Sequence, residues 1–322
     1  MKKGLALMNV LVISVSLFAQ KPDTLIKKLD SLSQKTDSAG GQINNTASTA
    51  YNEATKITFP SYFILLGSDL KQAFTKPFHM TTRDWITTGK FLIVAGGVAL
   101  VEKPIQHTAL HLRNESSGLR HVSAQVTNFG GPYEAYTLAA LGAYGFIFKN
   151  EKMKTTTFLA TQSYITGAAI ESVLKFVSGR QRPYVTDSTK VQASPTFYGP
   201  FYKTPKDPNG KSTNSSFPSG HTTVAFAAAT VFAMEYRNRP LIPIMAYSAA
   251  TLIGLSRIAE NKHWATDVLT GAAIGYLTGK LVVNNYHRYA KLKAPQQKKN
   301  SVTFNLQYNN GVIMPGMTYS FR

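Results

Sequence analysis

The chain has 322 residues, 43% apolar and 11% aromatic, enough to bury a substantial core as one domain with tails. Lys and Arg number 35 against 16 Asp and Glu, a formal charge of +19 that points to an anionic partner such as a phosphate compound or an anionic membrane surface. The basic residues fall in short dispersed clusters with no helix, finger or ribonucleoprotein signature, which argues against nucleic acid. The lack of cysteine excludes disulfides, zinc–thiolate sites and cysteine nucleophiles.

Lys2 and Lys3 ahead of an apolar run ending at Ala19 read as a secretory signal peptide over residues 1–19, with an uncleaved anchor as the other reading. Residues 20–58, rich in Ser, Thr, Asn, Asp and Lys, read as a flexible polar linker. A helical domain is expected over residues 59–293. Within it, residues 85–101, 133–148, 155–177, 219–236, 241–255 and 264–283 have helical composition, separated by breakers such as Pro104, Gly130, Gly131, Pro183 and Pro240. The expectation is an all-α six-helix bundle. Residues 184–217 form a long Pro-, Gly-, Thr- and Asn-rich loop carrying Phe197, Tyr198, Phe201 and Tyr202, a candidate for substrate selection. In residues 301–322, Val302, Phe304, Leu306 and Tyr308 alternate with polar residues before the turn residues Asn309, Asn310 and Gly311, which predicts a β-hairpin tail.

Three segments concentrate phosphate chemistry. In K-F-V-S-G-R-Q-R-P, residues 175–183, Lys175 supplies a point charge and Arg182 a planar fork for phosphate oxygens. Taken alone, basic residues at a helix end are also favoured by the helix dipole. In F-P-S-G-H-T, residues 217–222, Ser219 is a good helix cap, Gly220 opens the helix start to close approach by an anion, and His221 sits beside it. In S-R-I-A-E-N-K-H-W-A-T-D, residues 256–267, His263 and Asp267 are four apart. If a helix starts near His263, both share a face and the carboxylate fixes the imidazole tautomer, leaving an oriented nucleophile with Arg257 just upstream.

Three such patterns in this order arise by chance with a probability on the order of 10⁻⁸. K-x6-R-P, P-S-G-H and S-R-x5-H-x3-D resemble the three signature motifs of the type 2 phosphatidic acid phosphatase and vanadium haloperoxidase superfamily, with every signature position matched. The resemblance covers about residues 85–283. It implies that Lys175, Arg182 and Arg257 hold the phosphoryl oxygens with Ser219 and the Gly220 amide, and that His263 attacks phosphorus with Asp267 as its orienter. It further implies that His221 protonates the leaving oxygen and then helps activate water, with no metal and no cofactor. The implied activity is hydrolysis of a phosphomonoester or diphosphate, of a lipid such as phosphatidic acid, phosphatidylglycerol phosphate, a polyprenyl diphosphate or a lipid A phosphate. A vanadium-dependent haloperoxidase and a non-catalytic lipid-phosphate binding protein are the other readings.

Steps of four from His263 and Asp267 reach Gly271, Gly275 and Gly279, a small-residue stripe that predicts close helix packing. His79, His107, His111, His121 and His287 lack comparable surroundings and read as structural or surface residues. The connections on the side away from the motifs are basic, with Lys149, Lys152, Lys154, Arg237, Arg239, Arg288, Lys291 and Lys293, which in a spanning bundle puts the catalytic face outside the cytoplasm. A cleaved signal followed by six spans puts it inside, a conflict resolved by insertion of residues 59–74, by fewer spans, or by a bundle lying on the membrane. An exported, membrane-associated or integral protein is expected, its site facing the periplasm or exterior.

Overall fold

Reciprocal caps open the first two helices. In the computed structural model, which describes residues 56–202, 206, 210, 213–293, 301–309 and 312–320, the Thr58 amide donates to Ser61 Oγ at 2.7 Å and the Ser61 amide returns to Thr58 Oγ1, starting α1 (Phe59–Thr75). Thr81 and Asp84 repeat the device at the head of α2 (Thr82–Glu115), where the Thr81 amide donates to Asp84 Oδ2 at 2.9 Å. The expected signal peptide and most of the expected linker lie outside the described residues.

The chain continues through α3 (Ser117–Phe129), α4 (Pro132–Ile147), α5 (Glu151–Ser178), α6 (Gly220–Glu235), α7 (Leu241–Ala259) and α8 (Ala265–Lys293). Eight α-helices therefore stand among the described residues, against the six expected. Six coincide with the apolar stretches, and α1 and α3 are additional. The signal for α3 is modest: a Ser116 side-chain cap and the spacing of Leu119, Val122 and Val126, the last packing against Ala225, Ala229, Ala250 and Ile253. Helix α2 also runs past Pro104, expected to break it. Tertiary bonds on either side hold it: Glu102 meets Arg180, and Gln106 Nε2 donates to the Ile258 carbonyl and to Asn261 Oδ1, each at 2.9 Å. At the far end of the chain, β1 (Ser301–Asn309) and β2 (Val312–Ser320) pair antiparallel, Ser301 opposite Ser320 and Asn309 opposite Val312.

Helix α6 is the enclosed axis of the bundle, with Thr222, Thr223, Val224, Ala227, Thr230 and Val231 buried. The glycine stripe of α8 lies against it. A Cβ on Gly271 would stand 2.6 Å from the Ser219 carbonyl oxygen, on Gly275 2.2 Å from that of Thr223, and on Gly279 2.6 Å from that of Ala227. Any side chain there forces the two helices apart. Leu65, Leu138, Leu159, Val231, Val282 and Tyr286 bury together and join α1, α4, α5, α6 and α8. The outer faces are apolar: Leu92, Ile93, Val94 and Leu100 on α2, and Leu241, Ile244 and Met245 on α7, are exposed. These two helices are long and apolar enough to cross a membrane.

Candidate active site

Lys175 sits in the last turn of α5, which ends at Gly179 with φ +51° and its amide on the Lys175 carbonyl at 3.1 Å. A Cβ on Gly179 would fall 2.0 Å from the Gly199 carbonyl oxygen, so the glycine lets the loop backbone at Gly199 lie against the helix end. Lys175 Nζ pairs with Glu171 one turn earlier. Arg182 follows in the loop: its amide donates to the Thr213 carbonyl at 2.8 Å and Nη2 lies 3.3 Å from Ser215 Oγ. Its Nε, like that of Arg257, is buried with no hydrogen-bond partner among the described residues.

At the start of α6, Ser219 occupies the cap position but does not cap. Its hydroxyl shares a 2.8 Å bond with Thr222 Oγ1, and its amide donates to the Asp267 carbonyl at 3.0 Å, which leaves the Gly220 amide, one residue on, as the backbone donor expected at this helix start. Gly220 does open the helix start. A Cβ there would lie 2.5 Å from Glu171 Oε1 and 3.3 Å from Lys175 Nζ, so a larger residue would have to push the Glu171 carboxylate out of this ion pair. His221 follows, its imidazole against the α3–α4 joint, where a Cβ on Gly131 would stand 3.0 Å from Nε2. Burial and the nearby charges of Arg257, Lys175 and Arg182 push its pKa down to about 3.

The third motif forms the end of α7 and a tight turn. Arg257 Nη1 donates to Thr127 Oγ1 of α3 at 2.6 Å, while its carbonyl accepts the amides of Lys262 and His263. Asn261 takes the left-handed conformation, φ +56°, and its side-chain amide donates to the carbonyls of Ser188 and Lys190. His263 is thereby fixed in the loop, only 1% exposed. Its Nδ1 lies 2.7 Å from the Ser216 carbonyl oxygen. A carbonyl can only accept, so Nδ1 carries the hydrogen and Nε2 keeps a free lone pair. Burial, then the charges of Arg182, Arg257, Lys175 and His221, hold the ring well below its ordinary pKa.

Asp267 corrects the expected geometry. Helix α8 starts at Ala265, after His263, so the pair does not share a helical face, and Asp267 Oδ2 stays 3.7 Å from Nδ1. That oxygen accepts instead from Ser216 Oγ at 2.5 Å and from the Trp264 amide at 2.9 Å, and Oδ1 accepts from Arg180 Nη1 at 2.5 Å. The structure thus gathers Lys175, Arg182, His221, Arg257 and His263 around one site, with Gly220 admitting Lys175 and Asp267 reaching His263 through Ser216. Sequence reasoning passed over Glu171, Arg180, Ser216 and Glu102. The first three lie in or beside the motifs, and Glu171 precedes Lys175 by one helical turn, but nothing near Glu102 marks it.

Residues 156–291 match the sequence profile of the PAP2 superfamily. This segment is a PAP2 superfamily domain. A lipid A 1-phosphatase of Porphyromonas gingivalis is 52% identical over 75 residues, 23% of this chain and 17% of that protein. Lipid phosphate phosphatase 1 of Arabidopsis thaliana is 32% identical over 115 residues, 29% of this chain and 35% of that protein. The chain therefore spans about a third or less of the length of these two relatives. The crystal structure of a transmembrane PAP2 type phosphatidylglycerolphosphate phosphatase from Bacillus subtilis superposes with a TM-score of 0.43 at 21% identity, covering 65% of this chain and 95% of that one. The PAP2 match runs from the first turns of α5 through α8 and holds all three motifs. Outside it, α2 and α3 contribute Glu102, Gln106 and Thr127, which bond to Arg180, to Ile258 and Asn261, and to Arg257.

Proposed function

We propose that the protein is a metal-independent lipid phosphatase working through a phosphohistidine on His263. The observation that carries this reading is the state of that ring: neutral, its Nδ1–H held by the Ser216 carbonyl, its Nε2 lone pair free beside three cations. A neutral imidazole with one fixed tautomer is a competent nucleophile toward phosphorus. Nε2 attacks in line, the nitrogen–phosphorus bond forms as the ester oxygen–phosphorus bond breaks, and Lys175, Arg182 and Arg257 take the charge that spreads over the phosphoryl oxygens. These cations fill the part that a magnesium ion plays in other phosphoryl transfers.

His221, near 3 in the empty site, is neutral at neutral pH. A phosphate dianion beside it offsets the cations that depress it, so the imidazole takes up a proton as substrate binds and delivers it to the leaving oxygen. Neutral again, His221 then accepts a proton from the water that attacks phosphohistidine, releasing phosphate and restoring His263. The Gly220 amide, with Ser219 beside it, adds a polar contact to the phosphoryl oxygens at the head of α6, where the absence of a side chain keeps Lys175 close.

The phosphorylated lipid is supported by the names of the relatives and by the exposed apolar faces of α2 and α7. The Porphyromonas relative puts a lipid A 1-phosphate first in the substrate panel, ahead of phosphatidic acid, phosphatidylglycerol phosphate and polyprenyl diphosphate. We place the catalytic face on the exterior or periplasmic side, because Lys149, Lys152, Lys154, Arg237, Arg239 and Arg288 cluster in the connections at the other end of the bundle. Phosphate release from this panel, measured in EDTA for the wild type and His263→Ala, tests the reading. Turnover that survives EDTA and is lost in the variant is expected; turnover that needs a divalent metal, or persists without His263, overturns it.

A further inference from the structure

The first motif contains an arginine for which phosphate binding has no use. Arg180 is 2% exposed and lies between two buried carboxylates, Glu102 at 2% and Asp267 at 0%. Nη1 donates to Asp267 Oδ1 at 2.5 Å and to Thr266 Oγ1 at 2.6 Å, and Nη2 donates to Glu102 Oε1 at 2.5 Å. Thr266 Oγ1 in turn donates to Glu102 Oε2 at 2.5 Å, closing the ring of contacts. The rings of Phe197 and Phe217 cover the guanidinium at 4.7 Å and 6.0 Å, and its buried Nε has no partner among the described residues. Lys175, Arg182 and Arg257 act on the charge of His263, whereas the charge of Arg180 acts on Asp267.

Asp267 has both oxygens engaged by Arg180, Ser216 and Trp264, and neither by His263. Its influence on the imidazole passes through Ser216, whose hydroxyl it accepts and whose carbonyl holds Nδ1–H. We propose that Glu102, Arg180 and Asp267 form a buried carboxylate–guanidinium–carboxylate chain that positions His263 through Ser216, and that Arg180 and Glu102 are positioning residues rather than phosphate ligands. The inference rests on His263 being the nucleophile. Without Arg180 the Asp267 carboxylate becomes an uncompensated buried charge, free to turn toward Nδ1 in place of the Ser216 carbonyl. Glu102 holds the other face of the same guanidinium, so it shares the task although it lies on α2, outside the PAP2 match. The chain carries one net negative charge behind the imidazole, which favours the partial positive charge the ring develops as Nε2 bonds to phosphorus.

The test uses the full chain in detergent with Arg180→Lys, Glu102→Gln and Thr266→Ala beside Arg182→Ala. Lipid phosphate kinetics, inorganic phosphate affinity and the 15N imidazole shifts of His263 are read together. Arg180→Lys and Glu102→Gln are expected to lower kcat by about 100-fold while KM and phosphate affinity stay within about twofold, as misplacement of a reacting group does. The His263 shifts should move from a single Nδ1–H tautomer toward a mixture. Arg182→Ala is expected to do the reverse, weakening phosphate with the tautomer intact. The proposal is overturned if Arg180→Lys or Glu102→Gln weakens phosphate as Arg182→Ala does, or leaves kcat and tautomer unchanged. Retained phosphate binding reports a folded site; where a charge variant fails to fold, Thr266→Ala, which removes a single hydroxyl, decides by the same shifts. If the wild type hydrolyses no phosphate ester the functional reading fails, while the tautomer and phosphate affinity still decide the positioning role.

Discussion

His263 Nδ1 lies 2.7 Å from the Ser216 carbonyl oxygen and 3.7 Å from the nearest oxygen of Asp267, so a backbone group, not the carboxylate, sets the tautomer. The carboxylate holds the residue that supplies that backbone group. Ser216→Ala removes the hydroxyl that Asp267 accepts and leaves the carbonyl less firmly placed. The loss of one buried bond to a charged acceptor is worth about 1.5–3 kcal/mol of stability. We expect kcat to fall by about tenfold with KM unchanged, because the substrate contacts are intact. A raised KM with unchanged kcat would place Ser216 in substrate binding instead.

Gly275 tests the packing that mounts the site. A Cβ there meets the Thr223 carbonyl at 2.2 Å, a backbone atom on the helix that carries His221. Gly275→Ala should therefore cost about 3 kcal/mol and reduce activity in the surviving folded fraction. Gly97→Ala, on α2 with nothing within 4 Å, should instead stabilise by about 0.5–1 kcal/mol. Thermal denaturation of the two variants checks both signs, and equal shifts would contradict the packing argument.

The two site histidines make a pH signature. Both are depressed from an ordinary value of 6.5, His221 to about 3, so below 6.5 the unfolded chain binds protons that the folded site refuses. Stability of the empty protein should fall as pH drops from 6.5 toward about 3, and these groups should have no effect above that window. An anion reverses the bias. Sulfate, a dianion throughout, should bind with uptake of a proton at pH 6 and with affinity that weakens toward pH 8. Calorimetry in two buffers of different ionisation enthalpy reads the proton directly; release, or no exchange, would contradict a site that holds His221 neutral.

The legible part of the site was the part whose chemistry is local. Lys175, Arg182, Arg257, His221 and His263 could be picked out because cations and imidazoles in short fixed spacings have few other reasons to recur. The glycine stripe was readable for the same reason, since Gly271, Gly275 and Gly279 share one face of any helix. What could not be read depends on where helices stop. The role given to Asp267 assumed a helix starting near His263, and the turn through Asn261 moves that start to Ala265. Pro104 reads as a breaker until tertiary bonds at Glu102 and Gln106 are known to span it. Glu102 itself is 78 positions from Arg180, and only the folded bundle brings them together. Helix α3, short and half polar, is called into being by its Ser116 cap and by packing rather than by a strong apolar run.

The central claim is the nitrogen–phosphorus bond. Rapid acid-free quenching during turnover of a lipid phosphate, followed by mass spectrometry of the peptide containing residues 256–267, should find one added phosphoryl group on His263. The adduct should be acid-labile and should be absent from His263→Ala. A phosphoryl group on His221, or full turnover with no histidine adduct on any peptide, would contradict the account.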